Sequence, residues 1–463
     1  MRLLTALLIA ALPLSALPAA LVADERVPQS RAEISLSFAP LVEEAAPAVV
    51  NIYASRVVQS RSPFAGDPFF GEFFRNFGAG RPRVQNSLGS GVILSEDGIV
   101  VSNFHVVGGA QDIRVVLNDR REFEARVLLA DEEADLAILR LEGAEDMPHL
   151  PLRDSDDVAV GELVLAIGNP FGVGQTVTSG IVSGLARSGA ASEGGRGYFV
   201  QTDAPINPGN SGGALIDTQG RLIGVNTSIL SRSGGSNGIG FAIPAALVAQ
   251  FVAQAEAGNE TFTRPWAGLT GQPVDAELSE SLGQMRPAGV LISAIHPASP
   301  FAAAGLEAGA VIEAVDGSEV NTPAEMIYRL SVRGIGATSR VTAARRGETR
   351  DIEVALIAAP DEPARETVSL GEREVLPGLT VAHANPAVIA EMGLPLLTEG
   401  VVVLDPGPWG ARAGLAAGDV ISGVNGYAIE APRDVGPALR SALPRIAIEA
   451  ERDGRRVMLR FRV

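Results

Sequence analysis

The sequence predicts a mainly β protein built from three folded parts. Its 463 residues suit about three domains at ~150 residues each. From about Ser35 to Gln254, short apolar runs are punctuated by Gly, Asn and Asp, the pattern of an antiparallel sandwich or barrel. Beyond residue 265 the text repeats itself. Gly305-Leu306-Glu307-Ala308-Gly309-Ala310-Val311-Ile312 and Asp316-Gly317 recur 109 residues on as Gly414-Leu415-Ala416-Ala417-Gly418-Asp419-Val420-Ile421 and Asn425-Gly426.

The strand-like runs of the first part are Ala48–Tyr53, Gly91–Leu94, Gly98–Val101, Ile113–Leu117, Leu136–Arg140, Val164–Ile167, Ile181–Val182, Phe199–Gln201, Leu222–Thr227 and Ile239–Ile243. Ala245–Ala257 has helical spacing and ends near Gly258-Asn259, so a helix should close this domain. The expected divisions are a leader at 1–23, a first domain at 30–258 and repeated modules at 265–360 and 372–463. An acidic, Pro-containing stretch, Asp361 to Arg373, separates the modules. An insertion at about 58–85 gathers Phe64, Phe69, Phe70, Phe73, Phe74 and Phe77. It reads equally well as a buried local cluster or as an exposed patch for partners.

Composition removes whole classes of chemistry. Acidic residues number 54 against 37 basic, a formal net charge of −17, and every basic residue is arginine. With no cysteine, thiol nucleophiles, cysteine-ligated metals and disulfides are impossible. Without lysine, Schiff-base enzymes and Ser–Lys hydrolases are excluded. The four histidines, His105, His149, His296 and His383, form no local metal motif, so neither metal nor cofactor is expected. An acidic chain without a basic block is not expected to bind nucleic acid. Hydrophobic residues at 46% and charged residues at 20% describe folded cores, not a disordered chain.

Met1–Arg2 is followed by an apolar run, Leu3 to Val22, then Ala23 and Asp24-Glu25-Arg26. Pro13 and Pro18 interrupt the run, which favours a cleaved signal peptide over an uncleaved anchor of about 20 apolar residues. The body of the protein is expected to be exported, and without cysteine it needs no oxidative folding.

Three segments carry the chemistry. Gly209-Asn210-Ser211-Gly212-Gly213 puts a serine in a bend where glycines permit tight turning and main-chain N–H groups can converge. His105 lies in Ser102-Asn103-Phe104-His105-Val106-Val107, after an apolar strand. Asp135 leads directly into the strand Leu136–Arg140, with Asp131, Glu132 and Glu133 as rival carboxylates. Singly, each has an ordinary structural explanation. Together they run His–Asp–Ser across an all-β domain, which is the chymotrypsin order; α/β-hydrolases run Ser–Asp–His and need alternating helices that this domain lacks.

On these motifs the chain resembles the HtrA/Deg family of trypsin-like serine proteases with two PDZ domains. The matching text is Gly89-Ser90-Gly91-Val92, Asn103-Phe104-His105-Val106-Val107, Asp135-Leu136-Ala137, Gln201-Thr202-Asp203-Ala204, Ile206-Asn207-Pro208-Gly209-Asn210-Ser211-Gly212-Gly213 and Gly238-Ile239-Gly240-Phe241-Ala242-Ile243-Pro244. The resemblance implies a chymotrypsin-like double β-barrel followed by two PDZ domains. It also implies ATP-independent proteolysis of unfolded envelope proteins in the periplasm, homotrimers that enlarge into cages, and in some members chaperone activity. A non-catalytic chaperone or adaptor retaining the fold is the alternative. In the implied roles Ser211 is the nucleophile and His105 the base, with Asp135 orienting it. The amides of Gly209, Asn210 and Ser211 form the oxyanion hole, and Ile206 and Ile229 line a specificity pocket for small to medium aliphatic side chains. Arg187 belongs to a sensor loop.

A PDZ domain binds an extended peptide by strand addition and holds its C-terminal carboxylate on backbone amides. The first module offers Trp266-Ala267-Gly268-Leu269 for this, with Ala267 where the family usually has a larger apolar residue. The second offers Pro377-Gly378-Leu379. C-terminal peptides are expected at Ala267, Gly268 and Leu269, whereas peptide binding and a spacer role both stay open for the second module.

Overall fold

The computed structural model describes residues 37–58, 83–169, 174–185, 198–207, 209–229 and 238–463. The leader, the Phe-rich insertion and Arg187 lie outside the described residues.

Two closed six-stranded barrels form the first domain. The first is made by β1 (Val49–Val58), β2 (Arg83–Ile93), β3 (Ile99–Ser102), β4 (Asp112–Val116), β5 (Glu122–Asp131) and β6 (Leu136–Leu141), in the order β1-β2-β3-β6-β5-β4. The second is made by β7 (Leu163–Gly168), β8 (Thr176–Gly184), β9 (Val200–Thr202), β10 (Ala214–Asp217), β11 (Leu222–Ile229) and β12 (Gly240–Pro244), in the order β10-β11-β12-β9-β8-β7. Each of the predicted strand runs falls in or against one of these strands. β5 and β10 add to them. β5 alternates Glu122, Glu124 and Arg126 with apolar residues and is largely solvated, so no continuous apolar run marks it.

Closure abolishes free sheet edges and leaves each barrel an interior packed with aliphatic side chains. Ile52, Ile93, Val100 and Leu139 fill the first; Val164, Ala166, Val200 and Leu215 fill the second. A third cluster lies between them, where Val92, Val101 and Ile138 of one barrel meet Leu165, Ile167 and Ala214 of the other. The helix Ala245–Glu256 extends this seam with Phe251, whose ring stacks on Phe262 at 3.9 Å. Burying a side chain of this size is worth ~1.5–3 kcal/mol. The seam therefore fixes the barrels against each other, and the loops that carry the functional residues meet along it.

The first repeated module is a six-stranded sheet: β13 (Leu269–Pro273), β14 (Val290–Ile295), β15 (Val311–Val315), β17 (Thr338–Arg345) and β18 (Glu348–Ala355) in order, with β16 (Ser318–Glu319) on β15. Its main helix, Pro323–Arg333, starts where Thr322 Oγ1 accepts from the Glu325 amide at 3.1 Å, an N-cap of the preferred type. The second module is seven-stranded: β19 (Val368–Ser369), β20 (Thr380–His383), β21 (Val401–Asp405), β22 (Val420–Val424), β24 (Arg445–Arg452) and β25 (Arg455–Arg462), with β23 (Tyr427–Ala428) on β22. The helix Val435–Ser441 corresponds in the repeat to Pro323–Arg333 of the first module. This sheet takes in β19 from the acidic separator.

The first module docks on the barrels through its main helix. Tyr328 stacks on Tyr198 with centroids 3.7 Å apart, Arg329 lies over both rings and pairs with Asp156, and Gln250 Nε2 donates to Val332 O at 3.0 Å. Burial pushes the Tyr198 and Tyr328 hydroxyls up, so both stay neutral in this contact.

Candidate active site

The His105 side of the site is built by the first barrel. β3 ends at Ser102, and the chain turns at Asn103 into the single helical turn Phe104–Val107, which presents His105 at the surface. Asp135 stands at the start of β6 with φ of +52°. A left-handed backbone is costly for a residue other than glycine, and here surrounding bonds hold it. Asn103 Nδ2 donates to the Asp135 carbonyl at 2.9 Å, and the His105 amide donates to Asp135 Oδ1 at 3.0 Å. The His105 Nδ1 lies 2.9 Å from both carboxylate oxygens. Thr227 completes the shell by donating its hydroxyl to Asp135 Oδ2 at 2.6 Å. Of the carboxylates that compete in sequence, Asp131 instead pairs with Arg264 at 2.7 Å.

The Ser211 side belongs to the second barrel. Gly212 has φ of +83°, and a Cβ there would sit 2.0 Å from Ser90 O, so only glycine fits. Ser90, from β2 of the first barrel, holds this bend on both flanks. Its amide donates to Ser211 O at 2.9 Å and its hydroxyl donates to Gly209 O at 2.6 Å. Ser211 Oγ donates its one proton to the Thr227 carbonyl at 2.9 Å. Thr227 thus touches both halves, one through its hydroxyl and the other through its backbone.

One expectation needs correction. The Asn210 amide does not face the expected oxyanion position; it donates to Asn207 O at 2.9 Å within a tight turn, leaving Gly209 and Ser211 as the candidate amides. Ile206 is only 1% exposed and packs in the second barrel's interior, against the gap left by Gly240, where a Cβ would be 2.8 Å from Ile206 Cδ1. The backbone of Ile229 pairs with that of Gly240. A cleft of ≈ 120 Å³ opens on the other side of His105, lined by Ala54, Ser55, Ser87 and Val106. It shares Ala54, Ser55 and Ser87 with a broader cleft of ≈ 700 Å³ that is also lined by Asp112, Arg114 and Arg126. Among the described residues no cluster of His, Asp and Glu is arranged to hold a metal ion. Thr227, Asn103 and Ser90 are the site residues to which sequence assigns no role.

In the first module, Gly268 takes φ of +60° and bends the Ala267–Leu269 loop. Ser299 Oγ donates to Ala267 O at 2.6 Å, and the Trp266 ring covers Gly268, its Cη2 2.7 Å from where a Cβ would stand. His296 meets that ring edge-on at 5.4 Å, and burial lowers the pKa of its imidazole.

Two barrels with a histidine, a carboxylate and a serine gathered along their seam define the class: a trypsin-like serine protease fold. The comparisons agree. Residues 89–225 match the trypsin-like peptidase domain and residues 268–356 the PDZ domain. The chain is 39% identical over 420 residues, 86% of each protein, to a probable periplasmic serine endoprotease DegP-like of Halomonas elongata. It is 36% identical over 424 residues, 89% of each, to a probable periplasmic serine protease do/HhoA-like of Haemophilus influenzae. Among solved structures it is similar to the HtrA-type protease AlgW with decapeptide, with TM-score 0.52 and 38% identity over 70% of this chain and 99% of that one. The chain belongs to the HtrA/DegP family of serine endoproteases.

Proposed function

We propose that this endoprotease cleaves unfolded polypeptides in the periplasm through Ser211, His105 and Asp135. The observation that carries the reading is the continuous chain of contacts from His105 through Asp135 and Thr227 to Ser211. His105 Nε2 takes the Ser211 proton as Oγ attacks the peptide carbonyl and gives it to the leaving amine. Asp135, on Nδ1, fixes the tautomer and stabilises the imidazolium. The amides of Gly209 and Ser211 stabilise the developing oxyanion, where loss of one donor costs ~10²–10³ in rate. Ile206 and Ile229 set a pocket without an anion, so a basic side chain entering it would be desolvated without a partner; cleavage follows Val, Ala or similar residues.

By likeness to the HtrA-type structure with a bound decapeptide, apolar C-terminal peptides bind the first PDZ module on Ala267, Gly268 and Leu269 and raise proteolysis. The loop bearing Arg187 relays the signal. Export by the 1–23 leader and assembly into trimers complete the reading. Relatives named as periplasmic endoproteases favour it over a non-catalytic chaperone.

Wild type and Ser211→Ala, compared on a casein-like unfolded substrate, test it. The variant should lose about 10⁶-fold in kcat while melting and sedimenting like wild type. Robust cleavage by the variant would refute Ser211 as nucleophile.

A further inference from the structure

The two PDZ modules present corresponding edges differently. In the first, β13 is the outermost strand of its sheet among the described residues, and the helix Pro323–Arg333 packs beside it. In the second, β20 corresponds to β13 and the helix Val435–Ser441 to Pro323–Arg333, but β20 has a neighbour on both sides, β21 and β19.

β19 comes from the acidic separator and runs antiparallel to β20, with Val368 opposite Val381 and Ser369 opposite Thr380. The pairing continues past the strand at both ends. The His383 amide donates to Arg365 O at 2.6 Å, and the Leu370 amide donates to Leu379 O at 2.8 Å. The Gly378 amide donates to Leu370 O at 2.9 Å. Gly378 corresponds to Gly268, so its N–H is the group on which a PDZ domain would hold a peptide's terminal carboxylate. Here it holds a carbonyl of the same chain.

The side chains fit this arrangement. Leu370 is buried and joins Leu379, Val435 and Leu439 in the module's core. A Cβ on Gly436 would stand 3.3 Å from Leu370 Cδ2, and the first module carries Ile327 at the corresponding position. The second module thus omits a side chain where Leu370 enters. Outside the strand, Arg365 pairs with both Glu391 oxygens at 2.8 Å, and Asn385 Nδ2 donates to Pro363 O at 2.7 Å. Arg440 pairs with Glu374 at 2.6 Å on the far side of the hairpin.

We propose that the peptide groove of the second PDZ module is filled in cis by residues 365–370 and is closed to free C-terminal peptides, leaving the first module as the receptor. A tethered segment competes at ~mM effective concentration without an association step, so dilute free peptide cannot displace it. Closure of the second groove stands apart from the reading of the first as a receptor, and the test reads them separately.

The probe is the octapeptide of residues 363–370 as the free acid, with benzoylphenylalanine at its N-terminus, photo-cross-linked to the full chain carrying Ser211→Ala. Two variants are compared: Val368→Gly with Leu370→Gly, which weakens the cis strand, and Ser369→Cys with Thr380→Cys, oxidised to lock it. The two hydroxyls are 2.9 Å apart and the chain has no other cysteine. Labelling of 378–383 and 432–441 should be low and equal in wild type and the locked form, and at least about tenfold higher in the weakened form. Labelling of 267–273 reports on the first module independently. Wild-type labelling of the second groove that collapses on locking would overturn closure. So would a folded weakened variant that labels no more than the locked one; should that variant fail to fold, the lock alone decides.

Discussion

The two halves of the active site differ in how completely they are set. On the base half, Asp135 accepts from the His105 amide and the Thr227 hydroxyl, and its carboxylate faces the imidazole. The His105 side chain stays 51% exposed while that of Asp135 is 27% exposed, so the imidazole is the more open of the two. On the nucleophile half the bend is clamped by Ser90, yet the hydroxyl it carries is turned to the Thr227 carbonyl. The difference teaches where control can act. The His105 imidazole already faces its carboxylate, whereas the Ser211 hydroxyl is engaged with a backbone carbonyl, and Thr227 touches both halves.

Breaking the nucleophile half should have the largest effect. Gly212→Ala places a Cβ 2.0 Å from Ser90 O at a φ of +83°, so the backbone must move. We expect kcat to fall by about 10³-fold or more as the Gly209 and Ser211 amides lose their aim, with the fold destabilised by ~1–3 kcal/mol. Steady-state kinetics with a thermal melt check this; a near-normal kcat would mean the bend tolerates displacement.

Thr227→Val sharpens the comparison, because it removes the hydroxyl from Asp135 while keeping the carbonyl that Ser211 meets. A hydrogen bond to a charged group is worth ~1.5–3 kcal/mol, so kcat should drop about 10–100-fold with KM within about twofold. A change confined to KM would place Thr227 in substrate binding instead of in positioning Asp135.

The smallest effect lies outside both halves. Burial lowers the His296 pKa in the folded chain, so the fold favours the neutral ring. Unfolded chains then bind more protons as pH falls below the ordinary imidazole value of ~6.5, and stability declines from there toward the folded pKa; above that window it is fully present. Melting between pH 5 and 8 should have a shallower acid slope in His296→Gln, by about 1–2 °C. Identical slopes would mean His296 is solvated.

Much of the fold is legible because closed barrels are built from short apolar runs bounded by turn residues, and those runs coincide with strands. β5 escapes because its alternation serves a solvated outer face. His105, Asp135 and Ser211 are legible from motifs that also carry the glycines their backbones require, such as Gly212. Thr227 is not: it lies 92 residues from Asp135 in sequence, in β11 at a register break between Asn226 and Ile229, the kind of bulge that re-aims a side chain. The turn that directs the Asn210 amide to Asn207 is likewise a matter of local dihedrals, invisible in residue type. The tandem repeat reveals two like modules, but only the strand register reveals that the separator lies along β20.

The most direct measurement is labelling of the full chain with a fluorophosphonate, followed by mass-spectrometric mapping and by the rate in His105→Ala. A fluorophosphonate reacts with a serine only when a base takes its proton and the oxyanion site receives the new charge. The label should fall on Ser211 alone, and its rate should drop at least about 10³-fold without His105. Label on a different serine, or an unchanged rate in His105→Ala, would contradict the coupling of the two halves.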